Sequence, residues 1–326
     1  RRQRQMCIRD SINITGNISH LVSFRITPDV TRESSLLTLS TGNAVSSDSL
    51  VFRVKYAYAQ FNLDEWMTKG SWARAGIQQT PWVDFEEGIY RYRFQGTVFA
   101  ERIPLGTTMA SSDAGVSFHY NLPSNYGDVH VGLYNGENYQ KVETNNQKAI
   151  ELRATVRPFA AMAPMLRGVR GHLVYYDDHY SADSERRRVM GNVTFEHKHL
   201  NAGFDYLTAH DRVSMASADV RSSGYSLWAT PRLPEEDGSS WEALIRYDHY
   251  TPNRSTALAP GSTAPRPGLT ALADQRQRRT ILGLAYWFPH QGNVSTAILV
   301  DYDAQHFDNL TSRPTKSIGV HGLLNF

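Results

Sequence analysis

Between Leu50 and Leu63 apolar and polar positions alternate, with Phe52, Val54, Tyr56 and Tyr58 interleaved with Arg53, Lys55, Ala57 and Ala59. A repeat of two sends successive side chains to opposite faces of a β-strand, so the segment predicts a strand with one greasy and one polar face. The same repeat sets Val116, Phe118 and Tyr120 against Ser117 and His119, and Ile150, Leu152, Ala154 and Val156 against Glu151, Arg153, Thr155 and Arg157. It persists to the chain end, where Ile318, Val320, Gly322, Leu324 and Phe326 alternate with Gly319, His321, Leu323 and Asn325. By this test fourteen strands are visible, at 17–27, 50–63, 71–79, 114–121, 128–136, 148–158, 167–177, 187–197, 199–209, 222–231, 240–250, 278–288, 293–303 and 316–326.

Their connections alternate in length, with long ones at 28–49, 80–113, 137–147, 178–186, 210–221, 251–277 and 304–315. Short turns at one end and long loops at the other are the sequence signature of a transmembrane antiparallel β-barrel of the outer-membrane type. Strands near ten residues match the roughly 9–11 needed to cross hydrocarbon at a tilt, and closure removes edges that lipid cannot satisfy. Both visible ends point to the short-turn side, so an even number of further strands is expected in the complete protein. Two would make sixteen, a width at which barrels enclose an aqueous channel. The Pro-, Ser- and Thr-rich stretch 251–270 reads as a surface loop, because alternation resumes on both sides.

Composition agrees with an all-β chain. The 326 residues include 17 Tyr, 13 Phe, 6 Trp and 23 Gly, with a mean hydropathy of −0.45. No apolar run approaches the roughly 20 residues of a membrane-spanning helix, and a single Cys cannot build a disulfide framework. Arg1 to Ser11, RRQRQMCIRDS, holds that Cys and none of the alternation. It resembles the in-frame translation of a sequencing-library adaptor, which leaves 12–326 as an N-terminally truncated barrel domain. Arg1, Arg2, Arg4 and Arg9 against Asp10 give this segment +3 of the whole chain's +2, so 12–326 carry −1. The pI near 8.6 therefore says nothing of nucleic acid, and no nucleic-acid partner is expected.

Several segments carry a family resemblance: RVKYAYAQF (53–61), RAGIQQTPW (74–82), RYRF (91–94), SSDAGV (111–116), YGDVHVGLYNGENY (126–139) and the ending HGLLNF. Together they are similar to the phosphate-selective porins of types O and P. The resemblance implies a sixteen-stranded homotrimeric channel in the outer membrane of a diderm bacterium, passing small hydrophilic solutes or anions such as phosphate. It also implies that Phe326, with apolar residues at alternating positions before it, is read by the barrel assembly machinery. The anion-selective members line the pore with a long run of Arg and Lys. Here the less greasy faces offer Arg53, Lys55, Arg74, Arg153, Arg157, Arg170 and Arg246 against Glu151, Glu196, Asp205, Glu242, Asp248, Asp301 and Asp303, seven of each sign.

The connection 80–113 contains TPWVDFEEGIYRYRFQ and is the candidate to fold inward and narrow the channel. Glu86 and Glu87 are expected to face Arg91 and Arg93 across a narrow aqueous gap, creating a field that orders dipolar solutes. A wall strand is the other reading of Arg91, Arg93 and Gln95 alternating with Tyr90, Tyr92 and Phe94. The cationic wall is assigned to Arg53, Lys55, Arg74, Arg91, Arg93, Arg153 and Arg157, opposed by Glu86, Glu87, Asp301 and Asp303. His119, His130, His172 and His321 fall on lumen faces, yet no H-E-x-x-H or paired-Cys motif accompanies them, so no metal is assigned. Trp72, Tyr175, Tyr176, Trp241, Tyr247, Tyr250, Trp287 and Phe288 are expected in aromatic girdles facing lipid. No G-x-S-x-G elbow or Gly-rich phosphate cradle is present, and neither catalysis nor a cofactor is expected. A barrel enzyme, or an adhesin or receptor acting through the long loops, are the other readings the pattern leaves open.

Overall fold

The computed structural model describes residues 13–32, 36–38, 44–46, 50–102, 109–141, 143, 145–162, 165–179, 181, 183–212, 220–252, 276–289, 292, 294–308 and 314–325. Arg1–Ser11, with its adaptor reading, and Phe326 lie outside them. In chain order the elements are β1 (Ile14–Asn17), β2 (Val22–Arg32), a small hairpin of β3 (Leu36–Thr38) and β4 (Ala44–Ser46), β5 (Leu50–Asn62) and β6 (Trp72–Gln79). Helices α1 (Pro81–Tyr90) and α2 (Phe99–Arg102) follow, then β7 (Ser112–Asn121), β8 (Gly127–Tyr134), β9 (Ala149–Val156), β10 (Val169–Asp178) and β11 (Glu185–His197). The remainder is β12 (Leu200–Arg212), β13 (Val220–Pro234), β14 (Ser240–Thr251), β15 (Gln277–Trp287), β16 (Ser295–Phe307) and β17 (Thr315–Asn325).

Apart from β3 and β4, every strand pairs antiparallel with its neighbour in sequence, giving one 15-stranded meander from β1 to β17. The count exceeds the fourteen read from alternation because β1 is a separate four-residue strand, turned back at 18–21 onto β2. Among the described residues β1 and β17 are the two edges and do not pair with each other. The long and short connections segregate to opposite ends as expected. One exception is the twelve-residue link 157–168 on the short side, longer than 179–184 on the other.

The two faces of this sheet differ chemically. Ile150, Leu173, Val193, Leu227, Ile245 and Val300 point outward and are exposed, forming the apolar belt of a transmembrane barrel. Alternate positions are buried and polar: Glu151, Arg153, Asn192, Asp205, Glu242 and Asp301. Many inward charges form ion pairs, which offsets the cost of burying them. Arg188 meets Asp211 at 2.7 Å and Arg246 meets Asp248 at 2.8 Å. One connecting segment, in its described residues 80–102, touches the inner face of strands from β9 to β16, and only a sheet curled around that segment can present all of them to it.

Period two breaks once near the channel wall. The register of β2 on β5 runs Thr27 opposite Tyr56 and then Pro28 opposite Val54, leaving Lys55 as an extra residue in a β-bulge. Pro28 has no N–H for the ladder, a position where bulges are tolerated. The bulge reverses the parity of β5. Phe52 and Val54 face out as the alternation predicts, but Tyr56, Tyr58 and Gln60 turn into the lumen, and the small Ala57 and Ala59 face out. Trp72, Tyr176, Tyr250 and Trp287 likewise lie inside rather than in a lipid-facing girdle. Tyr175 and Tyr176 show why, since consecutive strand residues cannot share a face.

Candidate functional site: a constriction built by the segment 80–102

The segment leaves β6 at Thr80, and Pro81 sets the first helical φ of α1 without wasting a donor. The helix ends at Arg91, left-handed at φ 63°, whose N–H returns to the Glu87 carbonyl at 3.0 Å. Its residues separate by the 3.6-residue period. Trp82, Val83, Glu86, Ile89 and Tyr90 are buried against the wall, while Asp84 and Gly88 are exposed on the opposite face and Glu87 is partly so.

Polar groups of the wall seat this helix. Glu151 accepts the Trp82 N–H at 3.3 Å at the positive end of the helix, and Arg153 donates to the Pro81 carbonyl at 3.2 Å. At the other end Asn201 donates to the Ile89 carbonyl at 2.9 Å. Aromatic contacts fill between them: Trp82 on His172 at 5.4 Å, Tyr90 on Trp228 at 5.2 Å and Tyr92 on Trp287 at 6.1 Å between ring centroids. Farther along, Arg246 donates to the Thr97 carbonyl at 2.9 Å and Gln95 to Asp301 at 2.8 Å. The segment is thereby fixed to one side of the barrel, and its exposed face looks across the remaining lumen toward β2, β5 and β6.

That opposite wall is cationic and aromatic. Arg25 lies over the Tyr56 ring at 4.8 Å and Lys55 over the same ring at 5.1 Å, while Arg74 stacks on Trp72 at 3.8 Å and Tyr58 at 4.8 Å. Asp84 is within electrostatic reach of Arg74, Arg25 and Lys55. Among the described residues Arg25 and Arg74 hydrogen-bond neutral oxygens, on Asn13 and Thr27 for the first and on Gln60 and Gln79 for the second. Their charges are held in place by rings and amides rather than neutralised by carboxylates.

The structure sorts the sequence candidates into different roles. Arg53 is paired with Asp29 at 2.7 Å and lies over Tyr139 at 4.8 Å. Arg153 pairs with Asp128 and lies over Phe85 at 4.4 Å, behind the helix. Arg157 sits at the short-turn rim, donating to Asn125 at 2.6 Å and to the Arg167 carbonyl at 3.2 Å. Asp301 is held by Gln95 and His321, and Asp303 by Arg279.

The arrangement of Glu86 and Glu87 facing Arg91 and Arg93 across a gap is not found. Arg93 pairs with Glu87 at 2.9 Å and with Glu101, all within the one segment. Arg91 lies over Trp287 at 4.0 Å and 3.6 Å from Glu242. Glu86 is fully buried against Asp205 of β12. Burial, reinforced by the neighbouring Asp205 carboxylate, raises the Glu86 carboxyl well above the usual carboxylate range. The wall-strand reading of 91–95 is also overturned, since helical and irregular backbone occupies 81–102. Arg25, Tyr56, Tyr58 and Asp84 were missed. Parity on β2, where Phe24 and Ile26 face out, identifies Arg25, and helical periodicity identifies Asp84. Tyr56 and Tyr58 could be placed only by recognising the bulge opposite Pro28.

The lumen histidines have protein partners. His172 bridges Thr155 at 3.1 Å and Thr194 at 2.9 Å, and His119 stacks on Trp72 at 5.1 Å and approaches Asp128 at 3.4 Å. Among the described residues no group of three or more His, Cys, Asp or Glu side chains is arranged to hold a metal ion.

No protein-family model matches the chain, and no curated protein matches it by sequence. Solved structures do match in fold. An anion-selective porin from Comamonas acidovorans superposes with a TM-score of 0.57 at 10% identity, covering 96% of this chain and 83% of that one. A loop-deletion form of OmpT, an outer membrane protein of Vibrio cholerae, gives 0.55 at 13% identity, covering 96% and 89%. The outer membrane channel DcaP of Acinetobacter baumannii gives 0.52 at 12% identity, covering 96% and 82%. The fold is that of an outer-membrane β-barrel of the porin type.

Proposed function

We propose that the chain forms a passive diffusion channel for small hydrophilic solutes in the outer membrane of a diderm bacterium, with anions favoured. The observation that carries this reading is the inward segment 80–102. It packs on one side of the lumen and turns the carboxylate of Asp84 toward Arg25, Lys55 and Arg74 on the other. Opposed charges across a water-filled gap orient dipolar solutes and set ion preference without holding a solute tightly. The two guanidiniums stacked on rings weight the balance toward anions. Phosphate is then one candidate solute, as the resemblance to the phosphate-selective porins implies, and no catalytic step or cofactor is required.

The same reading extends to assembly. A homotrimer fits the porin-type fold, and OmpT of Vibrio cholerae is described in a trimer form. β1 and β17 run in the same direction, so antiparallel closure requires an odd number of strands between them, and one gives sixteen. Phe326, the proposed signal to the assembly machinery, lies outside the described residues. Planar-bilayer recording tests the function: stable ohmic steps with an anion-favouring reversal potential in a salt gradient are expected. A heat-modifiable barrel that gives no steps would overturn it.

A further inference from the structure

The outer face of the sheet treats its two ends differently. On the six consecutive strands β11 to β16, the outward residue at the second or third position from the long-loop end is Arg187, His210, Arg221, His249, Arg278 and His306 in turn. Arginine and histidine thus alternate from strand to strand. Register joins them laterally: Arg187 stands opposite His210 and His210 opposite Arg221, while His249 stands opposite Arg278 and Arg278 opposite His306. Arg187, Arg278 and His306 are open to the surroundings, at 44%, 47% and 50%, and His210 is half-buried at 24%.

Acidic neighbours offset only part of this charge. Arg187 pairs with Asp177 at 3.0 Å and Arg278 with Asp308, while His210 lies 3.3 Å from Glu185 and His306 3.6 Å from Asp308. Arg221 is exposed and has no carboxylate partner among the described residues. At the short-turn end of the same six strands the outward side chains include Phe195, Leu233, Trp241, Tyr286 and Phe288, and the described outward positions there hold no Arg, Lys, Asp or Glu.

An arginine on the lipid face of a barrel costs about 2–4 kcal/mol at the bilayer midplane and about 0–1 near the interface. The row is therefore at headgroup depth, where each guanidinium attracts anionic headgroups. Its fork matches phosphate oxygens in a bidentate geometry. Arg187 and Arg221, in register through His210 of the strand between them, are spaced by about 9–10 Å, twice the inter-strand distance, while Arg278 is set off from Arg221 by four residues along β13. We propose that this row is a binding surface for a lipid headgroup carrying more than one phosphate, a phosphorylated glycolipid of the leaflet around the long-loop end. The proposal rests on the barrel spanning a membrane and not on what passes through it.

Native mass spectrometry of the full chain in detergent, titrated with diphosphoryl lipid A, its dephosphorylated form and phosphatidylcholine, tests the proposal. Diphosphoryl lipid A is expected to bind best. Arg221→Gln and Arg278→Gln should each weaken it about fivefold, the equivalent of about 1 kcal/mol per surface charge, and the double variant about 25-fold. Lys198→Gln, at the short-turn end, should change nothing. Equal binding of the dephosphorylated lipid, or unaltered binding by the double variant, would overturn the assignment. Heat-dependent gel mobility shows that each variant is folded. Bilayer conductance, expected to be unchanged, separates failure of this surface from failure of the channel reading.

Discussion

Arg74 offers the sharpest test of the constriction. Its guanidinium is held by Trp72 and Tyr58 and by two glutamine side chains, so Arg74→Gln removes a charge and leaves an amide donor beside them. An ion passing about 7 Å from a unit charge through water interacts with it by about 0.6 kcal/mol, and screening at about 0.1 M salt halves this to about 0.3. The sign is opposite for anions and cations, so the anion-to-cation permeability ratio should fall by about 0.6 kcal/mol, or about threefold. The assay is the reversal potential of single channels in a tenfold salt gradient. Arg91→Gln is the contrast. That side chain lies against Trp287, and its partner Glu242 keeps Arg232 at 3.0 Å, so selectivity should not move. An unchanged ratio in Arg74→Gln, or an equal shift in Arg91→Gln, would show that the aqueous path does not run along β5 and β6.

Three other outcomes follow from the same geometry. Trp228→Ala removes the ring under Tyr90, a truncation worth about 3–5 kcal/mol in a packed site, and should give larger, noisier conductance steps as α1 loosens; a single unaltered level would refute the seating. Because the Glu86 carboxyl is raised by burial, its contribution to seating is fully present at low pH and is lost as pH rises through the raised value. Wild-type channels should therefore become noisier as pH rises, and Glu86→Gln should stay quiet over the same range; identical pH profiles would count against this. Gly76→Ala places a Cβ 2.2 Å from the Ala57 carbonyl at a residue with φ +125°, so a cost of about 1–3 kcal/mol should lower the temperature of the heat-dependent gel shift.

The strands were legible wherever one face meets lipid and the other the lumen. The alternation at 114–121, 148–158 and 240–250 matches β7, β9 and β14 to within two residues at each end, because a one-residue slip would bury charge in hydrocarbon. β1 escaped because four residues containing Gly and Asn carry too little periodicity to separate from β2. The inward course of 80–113 was visible as a long, aromatic connection early in the chain. Its charge pattern was not, since Glu86 and Glu87 are adjacent in sequence but sit on opposite sides of a helix. Which one meets Asp205 and which one meets Arg93 is settled by tertiary contacts that no local spacing records.

The bulge at Lys55 also determines what kinds of sequence change the wall can absorb. Loops between strands can gain or lose residues without altering which side chains face water. Within β5 that freedom exists at one place, the supernumerary residue. Deleting Lys55 would close the bulge and leave Tyr56 and Tyr58 in the lumen and Ala57 and Ala59 facing out, because Val54 and Tyr56 already stand opposite the consecutive residues Pro28 and Thr27. Losing Ala57 while the bulge stays would instead move Tyr58 to the outward position and take its ring from under Arg74. The bulge is thus slack in the wall: one codon there can be lost at the cost of one charge, whereas one codon beyond it changes the pore.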